Sequence, residues 1–278
     1  MTPLTGVVDA HTHVLLPPPI AERVRGFFTA YGFDQLAYPL EPDVVLGTLA
    51  DEGVTEAWTL PYAHRPGTAR RFNEHSARVA AEHAGEPVTI VPGATVHPGD
   101  DDAVALVVEA IDDLGLRVLK LHCSVGQYQP TDPRLRPVLE VCGDRGVPVV
   151  VHLGHAPDGT TAADEVAPLA EVAASLPAVT FIAAHTAHPA TAATIEVMRT
   201  HRNVHADLTP VLMSPVDVGA PALTEMPDRF LFGSDAPNTG VPAGTALQSL
   251  AAMGLPDEVL AAVTGGNARR LVPPAPTR

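Results

Sequence analysis

Eight short runs of β-branched and apolar residues recur along this chain, each followed by a stretch suited to a helix or a connecting loop. The runs are Val7–Val14, Thr55–Leu60, Val88–Val96, Arg117–His122, Val147–Leu153, Val179–His185, Asn203–Leu208 and Arg229–Ser234. Between them lie amphipathic or alanine-rich segments at Thr68–Ala84, Asp101–Leu114, Arg134–Arg145, Asp164–Leu176 and Thr191–Thr200. Strand alternating with helix is the signature of a parallel sheet covered by helices. Several runs, such as VPVVVHL and VTFIAAH, are almost continuously apolar, as strands buried on both faces must be. Eight such units in 278 residues match a closed (β/α)8 barrel near its minimum size. An open doubly wound sheet would place a glycine-rich phosphate turn after an early strand, and none is present. The spacing therefore predicts an α/β fold, a TIM barrel in a single domain spanning residues 1–278, with 273–278 a frayed tail.

The charge balance narrows the partners. With 32 acidic against 17 basic side chains the formal charge is −15. That surface is unsuited to nucleic acid or to an anionic membrane, and a small-molecule partner is expected instead. Two cysteines, Cys123 and Cys142, are too few for a disulfide framework and suit a reducing compartment. The chain opens without a charged-then-apolar leader and has no apolar run of about 18–20 residues, so a cytoplasmic location is expected.

The connection after the first strand, from Val14 to about Pro42, is unlike the others. It carries Phe27, Phe28, Tyr31, Phe33 and Tyr38, out of 7 Phe and 4 Tyr in the chain. It reads as a long aromatic-rich insertion, either packing a small core of its own or covering the mouth of the barrel as a lid.

The 13 histidines carry the chemistry. Active sites of parallel barrels form at the carboxyl ends of the strands, so residues closing a run are the candidates. His11 and His13 close the first run, His122 the fourth, His152 the fifth and His185 the sixth, while Asp235 follows the eighth. His97 follows the third, and His155 and His188 lie three residues past His152 and His185. His75, His83 and His201 fall on helical segments, where a solvated surface is the default.

His11-Thr12-His13 is the strongest local signal. Residues i and i+2 of a strand share a face about 6.6–6.8 Å apart, which lets two imidazoles close on one ion at about 2.0–2.1 Å. Asp9, of the same parity, is expected to point inward one layer deeper, bracing a ligand histidine or simply bonding within the barrel floor. His152 is the third candidate ligand, though an isolated strand histidine is more often a satisfied core residue. Asp235 is the fourth; alone it would read as a turn or N-cap residue. Three imidazoles and one carboxylate leave a divalent ion at net +1, with room for a water of lowered pKa.

Lys120 shares a face with His122 on the fourth run. It can bind a substrate carboxylate, be carbamylated to bridge two metals, or pair with an acidic neighbour. His185 can donate to a substrate oxygen or serve as general acid. His155 and His188 line the mouth, and either can replace an assigned neighbour as ligand. On the seventh run the parity of His205 and Asp207 opposes that of Val204 and Ala206, and spacing does not choose which pair faces inward.

These segments resemble the amidohydrolase superfamily, in particular its amidohydrolase-2 branch of TIM-barrel metal-dependent hydrolases and decarboxylases. The resemblance runs from VVDAHTHV through NEHSARVAAEHAGEPVTIVPGATVHP, LGLRVLKLHCSVG, VPVVVHLGH, VTFIAAHTAHP and PDRFLFGSDAP to TGGNARRL. It implies His11, His13, His152 and Asp235 as metal ligands, His185 as a substrate-contacting catalytic residue beside Asp235, and Lys120 and His122 on a frequent substrate-side segment. It also implies one divalent metal ion, zinc in first place and manganese as the alternative, and a homodimer as a common assembly. Thr186-Ala187-His188 stands where relatives commonly have glycine, and Ala236 where an aromatic residue is frequent; both departures lie at the mouth and bear on substrate choice.

The expected activity is hydrolysis of a small ester, lactone or amide, carboxylate-bearing in many such relatives, by a metal-activated water. Non-oxidative decarboxylation at the same site is the alternative, and a metal-binding barrel without activity the second.

Overall fold

The computed structural model describes residues 4, 6–84, 87–153, 162–211 and 217–273, with side chains omitted at 162–164. Eight strands follow one another in chain order around a single parallel sheet: β1 (Val7–Thr12), β2 (Val54–Thr59), β3 (Thr89–Thr95), β4 (Val118–Leu121), β5 (Val149–Val151), β6 (Phe181–Ala183), β7 (Val204–Asp207) and β8 (Phe230–Leu231). The ring closes where Ala10 N–H donates to Phe232 O at 2.9 Å and Asp235 N–H to His11 O at 2.8 Å. This is the TIM barrel expected from the alternation.

The inside is filled by alternate residues of the strands: Val8, Ala10, Trp58, Leu60, Val91, Val118, Val150, Ile182 and Leu231 form one buried cluster. The opposite parity, including Ala57, Leu119, Val149, Val151, Phe181, Val204, Ala206 and Phe230, packs outward against the helices. That assignment settles the seventh strand: Val204 and Ala206 face the helices, so His205 and Asp207 face the barrel. Both cysteines are free and belong to the outer layer.

The helices form for ordinary reasons. Ala69–Glu82 buries Ala69, Phe72, Asn73, Ser76 and Val79, the i, i+3, i+4, i+7 stripe of an amphipathic helix. Arg136–Arg145 stops at Gly146, whose φ of 63° supplies the left-handed cap. The segment expected as one helix over Asp101–Leu114 is α-helical over Ala103–Val108 and widens to a π-helix over Glu109–Asp113.

After β1 the chain forms α1 (Pro18–Ala30) and α2 (Pro42–Asp51). No residue of α1 is buried, and Phe27 packs on Phe28 and Tyr31 at the surface. Tyr38 is buried, donating its hydroxyl to Glu52 and accepting from Ala243 N–H. Arg25 donates to Tyr38 O and to Pro237 O, tying α1 to the loop just past Asp235. No helix among the described residues is long and apolar enough to cross a membrane.

Trp58 is fully buried in the barrel interior. Trp58→Ala is expected to cost about 3–5 kcal/mol, the range for truncating a large buried aromatic. Urea unfolding would show it; a loss under 1 kcal/mol would mean that the interior collapses around the cavity.

Candidate metal centre

The predicted runs outlast the hydrogen-bonded strands. β4 stops at Leu121, β5 at Val151, β6 at Ala183 and β8 at Leu231, so His122, His152, His185 and Asp235 stand in the first residues beyond. Two of them still hold the neighbouring segment, His152 N–H donating to Leu121 O at 2.9 Å and Asp235 N–H to His11 O at 2.8 Å. His185, Thr186 and Ala187 have φ of 56°, 45° and 53°, and Asp235 has 64°. Left-handed backbone costs a non-glycine residue roughly 1–2 kcal/mol, so the run at 185–187 requires support.

His11 sits where the register of β1 against β2 becomes irregular, between Asp9 and Thr12. β8 approaches it closely: a Cβ on Gly233 would lie 2.8 Å from His11 Cβ and 2.3 Å from Thr209 Oγ1. Asp9 does not reach either ligand imidazole. Its carboxylate accepts from His11 N–H at 3.2 Å, Ser234 N–H at 3.0 Å and Ser234 Oγ–H at 2.5 Å, lacing the ends of β1 and β8 together. Burial raises Asp9 to about 7, against the pull of those hydrogen bonds.

The brace on the imidazole is Asp207, which the sequence did not single out. His11 Nδ1 donates to Asp207 Oδ2 at 2.9 Å, which leaves Nε2 as the acceptor nitrogen of the ring, the atom that Lys120 Nζ approaches. His13 Nδ1 donates to Leu60 O at 2.6 Å, which leaves its Nε2 for another partner. Asp235 Oδ1 lies 3.3 Å from His13 Nε2 and 3.9 Å from His11 Nε2. These three groups offer ligand atoms all within 4.8 Å of one another. The edge of a zinc tetrahedron with bonds of about 2.0–2.1 Å is about 3.3 Å.

Electrostatics favour a cation at this point. Burial pulls His11 down to about 3, helped by Lys120, and pulls His185, His122 and His152 down as well, so these imidazoles are neutral. Burial pushes Asp235 up, but His13, His185 and His11 together hold it below the ordinary carboxylate value. His13 Nε2 and the Asp235 carboxylate face each other at 3.3 Å, a separation at which one proton or one metal cation can be shared between them.

The remaining candidates surround this pair. Lys120 Nζ donates to His11 Nε2 at 3.0 Å, and burial brings it down to about 8 although Asp207 and Asp235 oppose that. His152 is not within the triad's ligand distance; its ring stacks on His122 at 3.8 Å and meets His185 edge-on at 5.0 Å. His185 lies 4.9 Å from His11, and its buried Nδ1 has no hydrogen-bond partner among the described residues. His188 N–H donates to His185 O, and its Nδ1 is also without a partner among the described residues. His155 lies outside the described residues. His97 spends both ring nitrogens on loop backbone, accepting from Gly99 N–H and donating to Gly126 O, and so stays out of the cluster.

Tyr62, just past β2, was also not legible in the sequence. Its ring meets His13 at 5.5 Å and His122 at 4.9 Å, and with the His122–His152 stack it makes an aromatic wall beside the triad.

Fold and site together define a parallel (β/α)8 barrel whose carboxyl-terminal rim carries a His-His-Asp group suited to one divalent ion. The chain belongs to the amidohydrolase family, amidohydrolase-2 branch, whose profile matches residues 8–273. No protein of curated function matches it by sequence. Among solved structures it resembles an uncharacterised TIM-barrel protein from Bordetella bronchiseptica, with TM-score 0.76, 20% identity, and coverage of 96% of this chain and 98% of that one. It also resembles a 2,6-dihydroxybenzoate decarboxylase complexed with 2,6-dihydroxybenzoate, with TM-score 0.69, 18% identity, and coverage of 96% and 99%. A third is the 5-carboxyvanillate decarboxylase of Novosphingobium aromaticivorans, complexed with manganese and a nitrobenzoic acid, with TM-score 0.66, 12% identity, and coverage of 96% and 94%.

Proposed function

We propose that this amidohydrolase is a divalent-metal-dependent hydrolase of a small ester, lactone or amide that carries a carboxylate. The observation behind the proposal is the convergence of His11, His13 and Asp235, whose ligand atoms all lie within 4.8 Å of one another at the rim of the barrel. His11, His13 and Asp235 would hold the ion, with His152 the candidate for the remaining place. A cation bound there polarises a carbonyl and acidifies a water. Zinc suits the imidazole-rich donor set, and the manganese in the carboxyvanillate decarboxylase makes that ion the alternative.

The chain's own residues supply the proton transfers. Asp235, kept ionised, takes the proton of the attacking water and passes it to the leaving group. Neutral His185 can donate one hydrogen bond, and it stabilises the oxygen that gains negative charge. Lys120, inside a low-dielectric site, offers an ammonium to the substrate carboxylate, a local attraction that outweighs the distant −15 of the whole chain.

Decarboxylation is the second reading, and two of the three structural relatives described above support it. Asp235 would then deliver a proton to the carbon that loses CO₂. Metal-loaded protein offered panels of lactones, esters, amides and aromatic acids, with parallel assays for released CO₂ and newly formed acid, separates the two. New acid without CO₂ supports hydrolysis. Stoichiometric CO₂ supports decarboxylation, and a metal-replete protein inert to every panel contradicts both.

Lys120→Met is expected to raise KM for a carboxylate substrate about 10- to 100-fold, the loss of a charged hydrogen bond of about 1.5–3 kcal/mol, while bound metal is retained. Steady-state kinetics with elemental analysis measures both. Loss of two ions per chain would instead indicate a carbamylated bridge.

A further inference from the structure

We infer that Asp207 is a positioning residue that fixes the His11 imidazole and the turn carrying His185 with a single carboxylate, so that the two sides of the site are set together. The inference rests on the reading of His11 as a metal ligand for its consequence, and on geometry alone for its cause.

Each carboxylate oxygen has its own task. Oδ2 accepts from His11 Nδ1–H at 2.9 Å. Oδ1 accepts from His185 N–H at 2.7 Å and from Thr209 N–H at 3.2 Å. The main-chain oxygen of Asp207 accepts from Thr186 Oγ1–H at 2.7 Å. Asp207 thus reaches the first two of the three consecutive left-handed residues, His185 and Thr186, and closes around a turn that no glycine relaxes. The carboxylate is fully buried, so water cannot take over either oxygen. A buried carboxylate behind a ligand histidine dictates which ring nitrogen keeps the proton, and hence which lone pair meets the ion. Here the same carboxylate also decides where the His185 ring stands, 4.9 Å from His11. A purely structural acid would need only one of these bonds.

Asp207→Asn tests the idea because the amide is isosteric and has one acceptor oxygen in place of two, for three N–H donors: His11 Nδ1–H on one side, His185 N–H and Thr209 N–H on the other. Either His11 Nδ1–H or His185 N–H must lose its partner. In metal-free protein with labelled histidine, NMR is expected to show wild-type His11 protonated at Nδ1 and the His185 amide protected from exchange. The Asn variant is expected to lose one of these signatures, and its zinc affinity by chelator competition to fall about 10- to 100-fold. Both signatures unchanged in the variant would overturn the inference, as would a zinc affinity unchanged within twofold. So would a wild-type His11 protonated at Nε2, an outcome that needs no variant to fold. Thr186→Val removes only the bond to the main-chain oxygen; it should loosen the His185 amide while leaving the His11 tautomer as it is, and a moved tautomer would count against the division of tasks. A wild type with both signatures but no affinity for zinc would uphold the positioning role and refute the metal reading instead.

Discussion

Asp235→Asn is expected to leave a folded barrel and to lower turnover about 10²–10⁴-fold, the range for removing a general acid–base group. The position explains the choice of variant. Asp235 sits at φ 64°, a conformation that asparagine adopts more readily than alanine, and its N–H holds the strand closure to His11 O. Asparagine keeps both features and removes only the charge. It also weakens one edge of the cation site, so kinetics must be taken at saturating metal. Near-normal turnover under that condition would remove Asp235 from the proton-transfer role.

His11→Ala is the second large effect: bound metal is expected to fall from about one ion per chain to below a tenth of that. The variant takes away the ligand that the buried Asp207 carboxylate fixes at its Nδ1. It also strands the buried Asp207 carboxylate, an unmade hydrogen bond worth about 1–3 kcal/mol, so the melting temperature should drop as well. A protein of this size tolerates that loss, since domains are typically stable by about 5–15 kcal/mol. His13→Ala is the comparison: it removes a ligand whose Nδ1 bonds to a main-chain oxygen, Leu60 O, and leaves the fully buried Asp207 carboxylate with its His11 partner. Metal lost in both variants with a larger fall in melting temperature for His11→Ala fits the geometry; metal retained in both does not.

The barrel was legible because strands buried on both faces leave near-continuous apolar runs, and eight of them cannot be mistaken for noise. Part of the site was not. On the seventh run Val204 and Ala206 alternate with His205 and Asp207, but alternation alone does not say which pair faces inward, so it did not reveal that Asp207 meets His11. Asp9 was placed by simple parity from His11, and the irregular register of β1 breaks that parity. His11 and His13 were readable since i, i+2 spacing brings two rings together whichever face is inward. His97 follows its run directly, near the level at which His152 ends the fifth, yet its loop folds back to take both ring nitrogens, a contact that spacing does not encode. Tyr62 lies in a loop without period, and only the tertiary fold brings it against His13 and His122.

The central claim is that His11, His13 and Asp235 share one divalent cation. Anomalous X-ray diffraction at the zinc and manganese edges, on crystals of protein loaded with one equivalent of metal, tests it most directly. A single strong peak bonded to His11 Nε2, His13 Nε2 and the Asp235 carboxylate is the predicted result. A map with no peak among these three groups, in protein whose fold is intact, would contradict it.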